Sequence, residues 1–549
     1  MHNSYFFCIF AADLILYEMK NRICLFAMLL IVLPLFSEEH IVISDSTWST
    51  SSLSSLVGQT VIFDAPLVVC ANANGNYTVG PWRRFQPENQ GVAGSAEYSA
   101  AVRINNSTAF SLTGISGYHR CGEKIYNLKA KVNSTSSLSW VSGSWKGNTR
   151  ADLEASLPDL GDYRILVCGF NLENYFVKNL GRSYLGPDSY SEHQDQRAKV
   201  SKALKKINAD IFGLVELEQG NDAVEEIVGD LNKNLPNRRY KYFNDATTGS
   251  SQKVDFVYDS KVVEPINTPV ETNVELPYRK KMVCFREIAT GEKFIFSINH
   301  FKSMNTGGAD RRENEARAVV KLYNSYRQNA NIKENDVLFM GDFNCYAKTD
   351  PVFVFTNNGM IDLHRAFHAD SSYSYMFSNL ASYIDHAICN ETLYRQITGM
   401  AAYHINSDED DKYTYDKSSD NTMFRCSDHD PVLVGLKPDS TLSQSFEPYI
   451  STASMEADSL GFYYVYTSSS EDPLIYFDIY TINGLCVCPP TRIIYEGDVF
   501  ESHTKYYTLS NGNSNLPDEL KAFLPLPAGL YVLHFYNKGQ IYSHKLIVR

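Results

Sequence analysis

Ser427-Asp428-His429-Asp430-Pro431-Val432 sets a carboxylate, which can hold a metal ion, directly before an imidazole, which can move a proton. Val432-Leu433-Val434 behind it opens an apolar strand. Side chains alternate between the faces of a strand, so such neighbours diverge unless the strand end or its loop re-aims them. Taken alone, the hexapeptide is a polar loop before a core strand. Four other segments repeat the arrangement, with the chemistry at the C-terminal end of an apolar run. Tyr163 to Phe170 ends in Asn171-Leu172-Glu173-Asn174, and Asp210 to Val215 in Glu216-Leu217-Glu218. Lys293 to Ile298 ends in Asn299-His300-Phe301-Lys302-Ser303, and Asp336 to Met340 in Gly341-Asp342-Phe343-Asn344. Open sheets gather their chemistry at strand ends. Solvated loops would not repeat this pattern five times with Asn, Glu, His, Asp/Asn and Asp-His in turn.

A divalent cation suits these residues. Glu216 and Asp428 are hard oxygen ligands, and Asn171 adds a neutral carbonyl. That set fits Mg²⁺ or Mn²⁺, accommodates Ca²⁺, and is unlike a thiolate zinc site. Glu218, two residues beyond Glu216, is a weaker candidate ligand.

In order, NLENYF, GLVELE, INHFKS, MGDFN, YIDHA and SDHDP resemble the endonuclease/exonuclease/phosphatase superfamily, and within it the bacterial extracellular nucleases. The resemblance spans roughly residues 160–438. It implies an α/β fold, a four-layer α/β/β/α sandwich. It also implies roles. Asn171 and Glu216 belong on the metal side with Asp428. Asp342 and Asn344 orient the attacking water and the scissile phosphate. Asp385, in Tyr383-Ile384-Asp385-His386, orients His429, the general acid/base. His300 contacts phosphate, and Arg279 binds it. A carboxylate supporting His300 is expected on an earlier strand, with Asp255 the nearest candidate.

The 549 residues exceed one ordinary core, so several domains are expected. A net charge of −13 excludes gripping nucleic acid by bulk electrostatics, but not by local basic groups. Lys202, Lys205 and Lys206, Arg279-Lys280-Lys281 and Arg311-Arg312 are candidates. Met19-Lys20-Asn21-Arg22 followed by apolar Ile23 to Phe36 reads as a secretory signal, so residues 1–37 form a leader and no stable membrane span is expected. Nine dispersed cysteines follow it, an odd number that no set of disulfides could pair completely.

Residues 40–150 carry short apolar runs between Ser, Thr, Gly and Asn, and read as a small all-β domain. Its wording resembles the oligonucleotide-binding barrel that precedes the catalytic domain in some secreted nucleases. Trp82, Arg83, Arg84 and Phe85 would then track a single strand. Helical patterns over Gln196–Ile207, Ala223–Leu231 and Arg311–Tyr326 alternate with strands, supporting an α/β core over 160–438. Charged residues 405–425 read as a surface loop beside the site. Residues 450–549 form Tyr-rich strands that end in a hairpin signal around Asn537-Lys538-Gly539. Their pattern resembles the C-terminal sorting β-sandwich of type IX secretion in Gram-negative bacteria, which would make that machinery a partner. The expected protein is a secreted or cell-surface, metal-dependent nuclease acting on DNA, with RNA a further substrate. The competing readings are a lipid phosphodiesterase or phosphatase of the same fold, and a binding protein with a dead site.

Overall fold

Runs such as Ile165–Phe170 and Val337–Met340 are apolar at every position because each is a strand buried on both faces. Ile165 and Val167 point one way, into a layer shared with Val215, Phe256, Phe296, Ile298 and Met340. Leu166, Cys168 and Phe170 point the other way, against Val200, Leu204, Ile227 and Leu231 of two helices. On the second sheet Leu338 and Met340 face the shared layer, while Val337 and Phe339 meet Val319, Tyr323 and Phe355 of the opposite helices. The layers therefore run helices, sheet, sheet, helices. Gly213 lets the sheets approach: a Cβ there would lie 2.8 Å from Phe296 and Ile298.

The computed structural model describes residues 39–43, 48–181, 186–245, 249, 251–274, 276–304, 307–439 and 441, and beyond them the strand backbones between 449 and 548. In the first sheet, Ile165–Tyr175 lies between Ile211–Glu218, to which it is parallel, and Val432–Leu436, to which it is antiparallel. In the second, Lys293–His300 runs parallel to Val337–Asp342, which runs antiparallel to Asp385–Asn390. The register sets His300, Asp342 and Asp385 side by side across these three strands.

The helices extend beyond the apolar periodicity that marks them in the sequence: Tyr190–Ile207, Asp222–Asn234 and Ala309–Tyr326. Their first turns are polar, and the first is capped by Ser189, whose hydroxyl accepts from the Glu192 amide at 3.3 Å.

Before this core, Lys124–Ser134 pairs with Thr60–Phe63, Leu67–Ala73 and Ser137–Lys146. Five strands thereby close into a ring. The segment is not all-β. A helix, Ala96–Ser107, starts at Ser95, whose hydroxyl accepts from the Tyr98 amide at 3.1 Å. Its Ser- and Asn-rich sequence hides it among the turn signals.

The expectation of a surface loop over 405–425 fails for its first third. Residues 405–410 are buried between the N-terminal segment and the two-sheet core. Their charges are matched by arginines distant in sequence: Arg83 meets Asp408 at 2.5 Å, and Arg120 and Arg150 both meet Glu409.

At the C-terminal end, a three-stranded and a four-stranded sheet form, the latter closing with Gly529–Asn537 paired antiparallel to Gln540–Val548. The turn residues Lys538 and Gly539, and the leader, lie outside the described residues. Among the described residues no helix is long and apolar enough to cross a membrane. Seven cysteines, Cys70, Cys121, Cys168, Cys284, Cys345, Cys389 and Cys426, are buried free thiols.

Candidate active site

At one edge His300 and Asp342 end two strands of the second sheet, Asp385 begins a third, and Asn171 and Glu216 come from two strands of the first. Asp342 is the hub. Its carboxylate accepts from the Asn344 amide at 2.8 Å, from the Asn344 side chain at 3.0 Å and from the Asn171 side chain at 3.1 Å. Asn344 takes up the left-handed conformation, φ 48°, which turns its side chain back toward the carboxylate. Burial, opposed by His429 and reinforced by Asp385 and Glu216, pushes the Asp342 carboxyl up to about 8.

Glu216 reaches in from the first sheet. It too is left-handed, φ 63°, so the strand pleat breaks there and Glu216 and Glu218 do not share a role. Glu216 accepts from the Asn174 amide at 2.9 Å and lies 3.6 Å from His300 Nε2. Glu218 turns away and caps the chain reversal, accepting from the amides of Val177, Lys178 and Asn179.

His429 is held by Asp385, with Nδ1 2.8 and 3.0 Å from the two carboxylate oxygens. Ser374 donates to the same carboxylate at 2.7 Å, and the Tyr375 ring lies 4.7 Å from the imidazole. Burial alone would favour neutral imidazole, but Asp385 and Asp428 outweigh it and hold His429 well above the usual histidine range. His300 is the converse. Burial, with Arg279 and His429 nearby, drives it well below that range, and its Nδ1 has no hydrogen-bond partner among the described residues. Asp255 is not that partner: it pairs with Lys253 at 2.7 Å, two residues back on a strand whose register shifts between them.

Among the described residues, Glu216, His300 and Asp342 bring ligand atoms within 4.8 Å of one another. This set differs from the sequence-derived trio of Asn171, Glu216 and Asp428. Asn171 gives its amide to Asp342, and its side-chain oxygen accepts from the Glu173 amide at 3.0 Å. Asp428 sits beside His429, 3.8 Å from Nε2, and near enough to Glu216 to raise that carboxyl after burial.

Glu173 was not among the expected site residues. Burial, then Asp428, pushes it up to about 8, and one of its oxygens has no partner among the described residues. Its spacing from Asn171 was visible in the sequence; its left-handed φ of 52°, which aims it, was not. Gln252 was missed as well. It accepts from Arg279 at 2.5 Å and donates to Asn174, tying the cation to the strand end.

Of the basic candidates, Arg279 lies at the site, where burial lowers its proton affinity against the pull of Glu216. Others are committed elsewhere: Lys280 to Glu315, Lys281 to Asp245, Arg312 to backbone carbonyls. Arg83, expected to track a single strand, is paired with the buried Asp408 instead.

Residues 170–429 match the model of the Endonuclease/Exonuclease/phosphatase family. The chain carries an endonuclease/exonuclease/phosphatase domain. The chain is similar to a solved endonuclease/exonuclease/phosphatase family protein from Bacteroides thetaiotaomicron, with 18% identity over 51% of this chain and 97% of that one, TM-score 0.36. It is also similar to the human Nocturnin catalytic domain, with 12% identity, 50% and 94% coverage and TM-score 0.35. A third is truncated Caenorhabditis elegans TDP2, with 15% identity, 51% and 100% coverage and TM-score 0.35. No curated protein matches the chain.

Proposed function

We propose that this protein is a secreted, divalent-metal-dependent nuclease that hydrolyses phosphodiester bonds in DNA, and in RNA where a single strand reaches the site. One observation carries the reading: an imidazole clamped by a carboxylate, His429 on Asp385, shares a strand-end cluster with the hydrogen-bonded Asn171–Asp342–Asn344 group and with Glu216. The donor chemistry fits a dication. Asp342 is buried and Glu173 and Glu216 are partly buried, and all three bind protons more tightly than ordinary carboxyls, first through loss of water and then through crowded like charges. Glu216 would hold the metal, with Asp428 or with His300 and Asp342 completing the set. A bound Mg²⁺ or Mn²⁺ supplies Lewis-acid polarisation of the phosphate.

The residues divide the remaining work. Asp342, fixed by two asparagines, aims the attacking water and accepts its proton. Arg279 neutralises the phosphate. His429, carried as imidazolium, gives its proton to the oxygen that leaves as the P–O bond breaks. His300, neutral, offers a ring nitrogen to phosphate or metal. The NHFKS wording, Asn299 to Ser303, favours a nucleic acid over a lipid substrate.

The N-terminal β segment is read as an oligonucleotide-binding-like module. The 450–549 region is read as a sorting domain for type IX export to the cell surface or medium. Plasmid nicking with Mg²⁺ and with EDTA, run beside sphingomyelin and phosphoinositide hydrolysis, tests the substrate. Metal-dependent nicking is expected; lipid turnover without nicking rejects the nuclease reading. Deleting residues 450–549 should leave hydrolysis intact and abolish export in the native host, and normal export would remove the sorting role.

A further inference from the structure

Two elements brace His429, and both are held from behind by the N-terminal segment. The first is the hairpin of Tyr375–Phe377 and Leu380–Ser382. Ser374, at its root, accepts from the Asp430 amide at 2.8 Å and donates to Asp385, while Tyr375 forms an antiparallel bridge to His429. The second is the buried stretch from His404 to Asp410. Asn406 donates to the His429 carbonyl at 2.6 Å, and the amides of Asn406 and Ser407 bind the Asp430 carboxylate at 2.8 and 2.9 Å.

Residues 83–86 grip both. Gln86 and Arg84 bridge to the hairpin edge through the backbone: the Gln86 amide donates to the Ala381 carbonyl at 2.9 Å, and the Ala381 amide to the Arg84 carbonyl at 2.8 Å. Arg83 then joins hairpin to stretch. Its guanidinium meets Asp408 at 2.5 Å and lies 4.6 Å from the centroid of Tyr373, whose hydroxyl donates to Asp408 at 2.8 Å.

We propose that the N-terminal segment is a positioning module for His429, and that Arg83 is its central positioning residue, locking the hairpin and the 404–410 stretch in the one arrangement that sets the imidazole against Asp385. The proposal rests on the hydrolase reading above. A buried ion pair adds little net stability, since desolvation offsets attraction, but it does select one geometry. Catalytic groups need that selection, because a shift of about 1 Å can cost about a hundredfold in rate. Arg83 touches neither substrate nor metal in this reading. Its effect must pass through His429.

The test is a double-mutant cycle in the full chain, using a DNA oligonucleotide and Mg²⁺, because its sugar alkoxide leaving group needs a proton. Arg83→Met should lower kcat about ten- to a hundredfold, change KM by no more than about twofold, and regain part of the rate as Arg83→Lys. In a His429→Ala background, Arg83→Met should slow the residual reaction no further, since coupled residues are non-additive. An unchanged kcat overturns the proposal, as does an equal loss in both backgrounds, which marks a general structural role. Should Arg83→Met lack the near-ultraviolet dichroism of the folded chain, Tyr373→Phe carries the same cycle. It removes one hydroxyl contact to Asp408 and should cost about two- to tenfold, again only when His429 is present. A His429→Ala variant of full activity would instead refute the acid assignment itself, and the inference with it.

Discussion

The two histidines of the site differ in charge although both are almost fully buried. His429 has a carboxylate on Nδ1 and another beside Nε2, and stays protonated. His300 has cations behind it, no partner on Nδ1, and stays neutral. Burial pushes both toward neutrality and both have carboxylates near Nε2, so the carboxylate bonded to Nδ1 of His429, which His300 lacks, makes the difference. One residue type thus presents a cation at one side of the site and a neutral nitrogen at the other, much as two carboxyls can be driven apart by their surroundings.

The sharpest way to break this contrast is His429→Ala. Loss of a general acid should cost about 10²–10⁴-fold in kcat, with the unfolding midpoint little changed; a rate near wild type ends the assignment. Asp385→Asn probes the cause of the charge. With the carboxylate present, imidazolium persists through neutral pH and activity falls only as pH rises through the raised value. Without it burial dominates, so the alkaline limb of kcat/KM should move to lower pH, and an unmoved limb would mean that Asp385 does not set the charge.

Glu216→Gln keeps shape and removes ligand charge. The Mg²⁺ concentration for half-maximal rate should rise about tenfold or more, as for other metal-site substitutions, with DNA binding in EDTA unaltered; an unchanged titration removes Glu216 from the metal. The smallest effect belongs to His300→Gln. A neutral hydrogen-bonding nitrogen contributes about two- to tenfold, and the alkaline limb of the profile should not move. A shift of that limb would show that His300 titrates in the working range after all.

The sequence made the strand-end chemistry legible because buried strands and their polar ends occupy adjacent residues. Asn171, Glu216, His300, Asp342, Asn344, Asp385 and His429 meet at one edge for that reason. What it hid depends on distant pairing or local backbone. Asp408 and Glu409 read as solvated charge because their arginines lie hundreds of residues earlier. Asp255 read as a partner for His300 because nothing in the strand pattern announces that Lys253 takes it. The left-handed turns at Glu173 and Glu216, which aim two carboxylates inward, have no glycine to announce them.

The buried cysteines carry a consequence for handling the protein. Burial raises Cys70 to about 11 and Cys121 to about 12, and Cys168 and Cys389 well above the usual thiol range. Thiols that neither ionise nor meet solvent exchange slowly with any disulfide. The described cysteines are therefore placed without an oxidative step, and the fold around them forms under reducing conditions as well as oxidising ones.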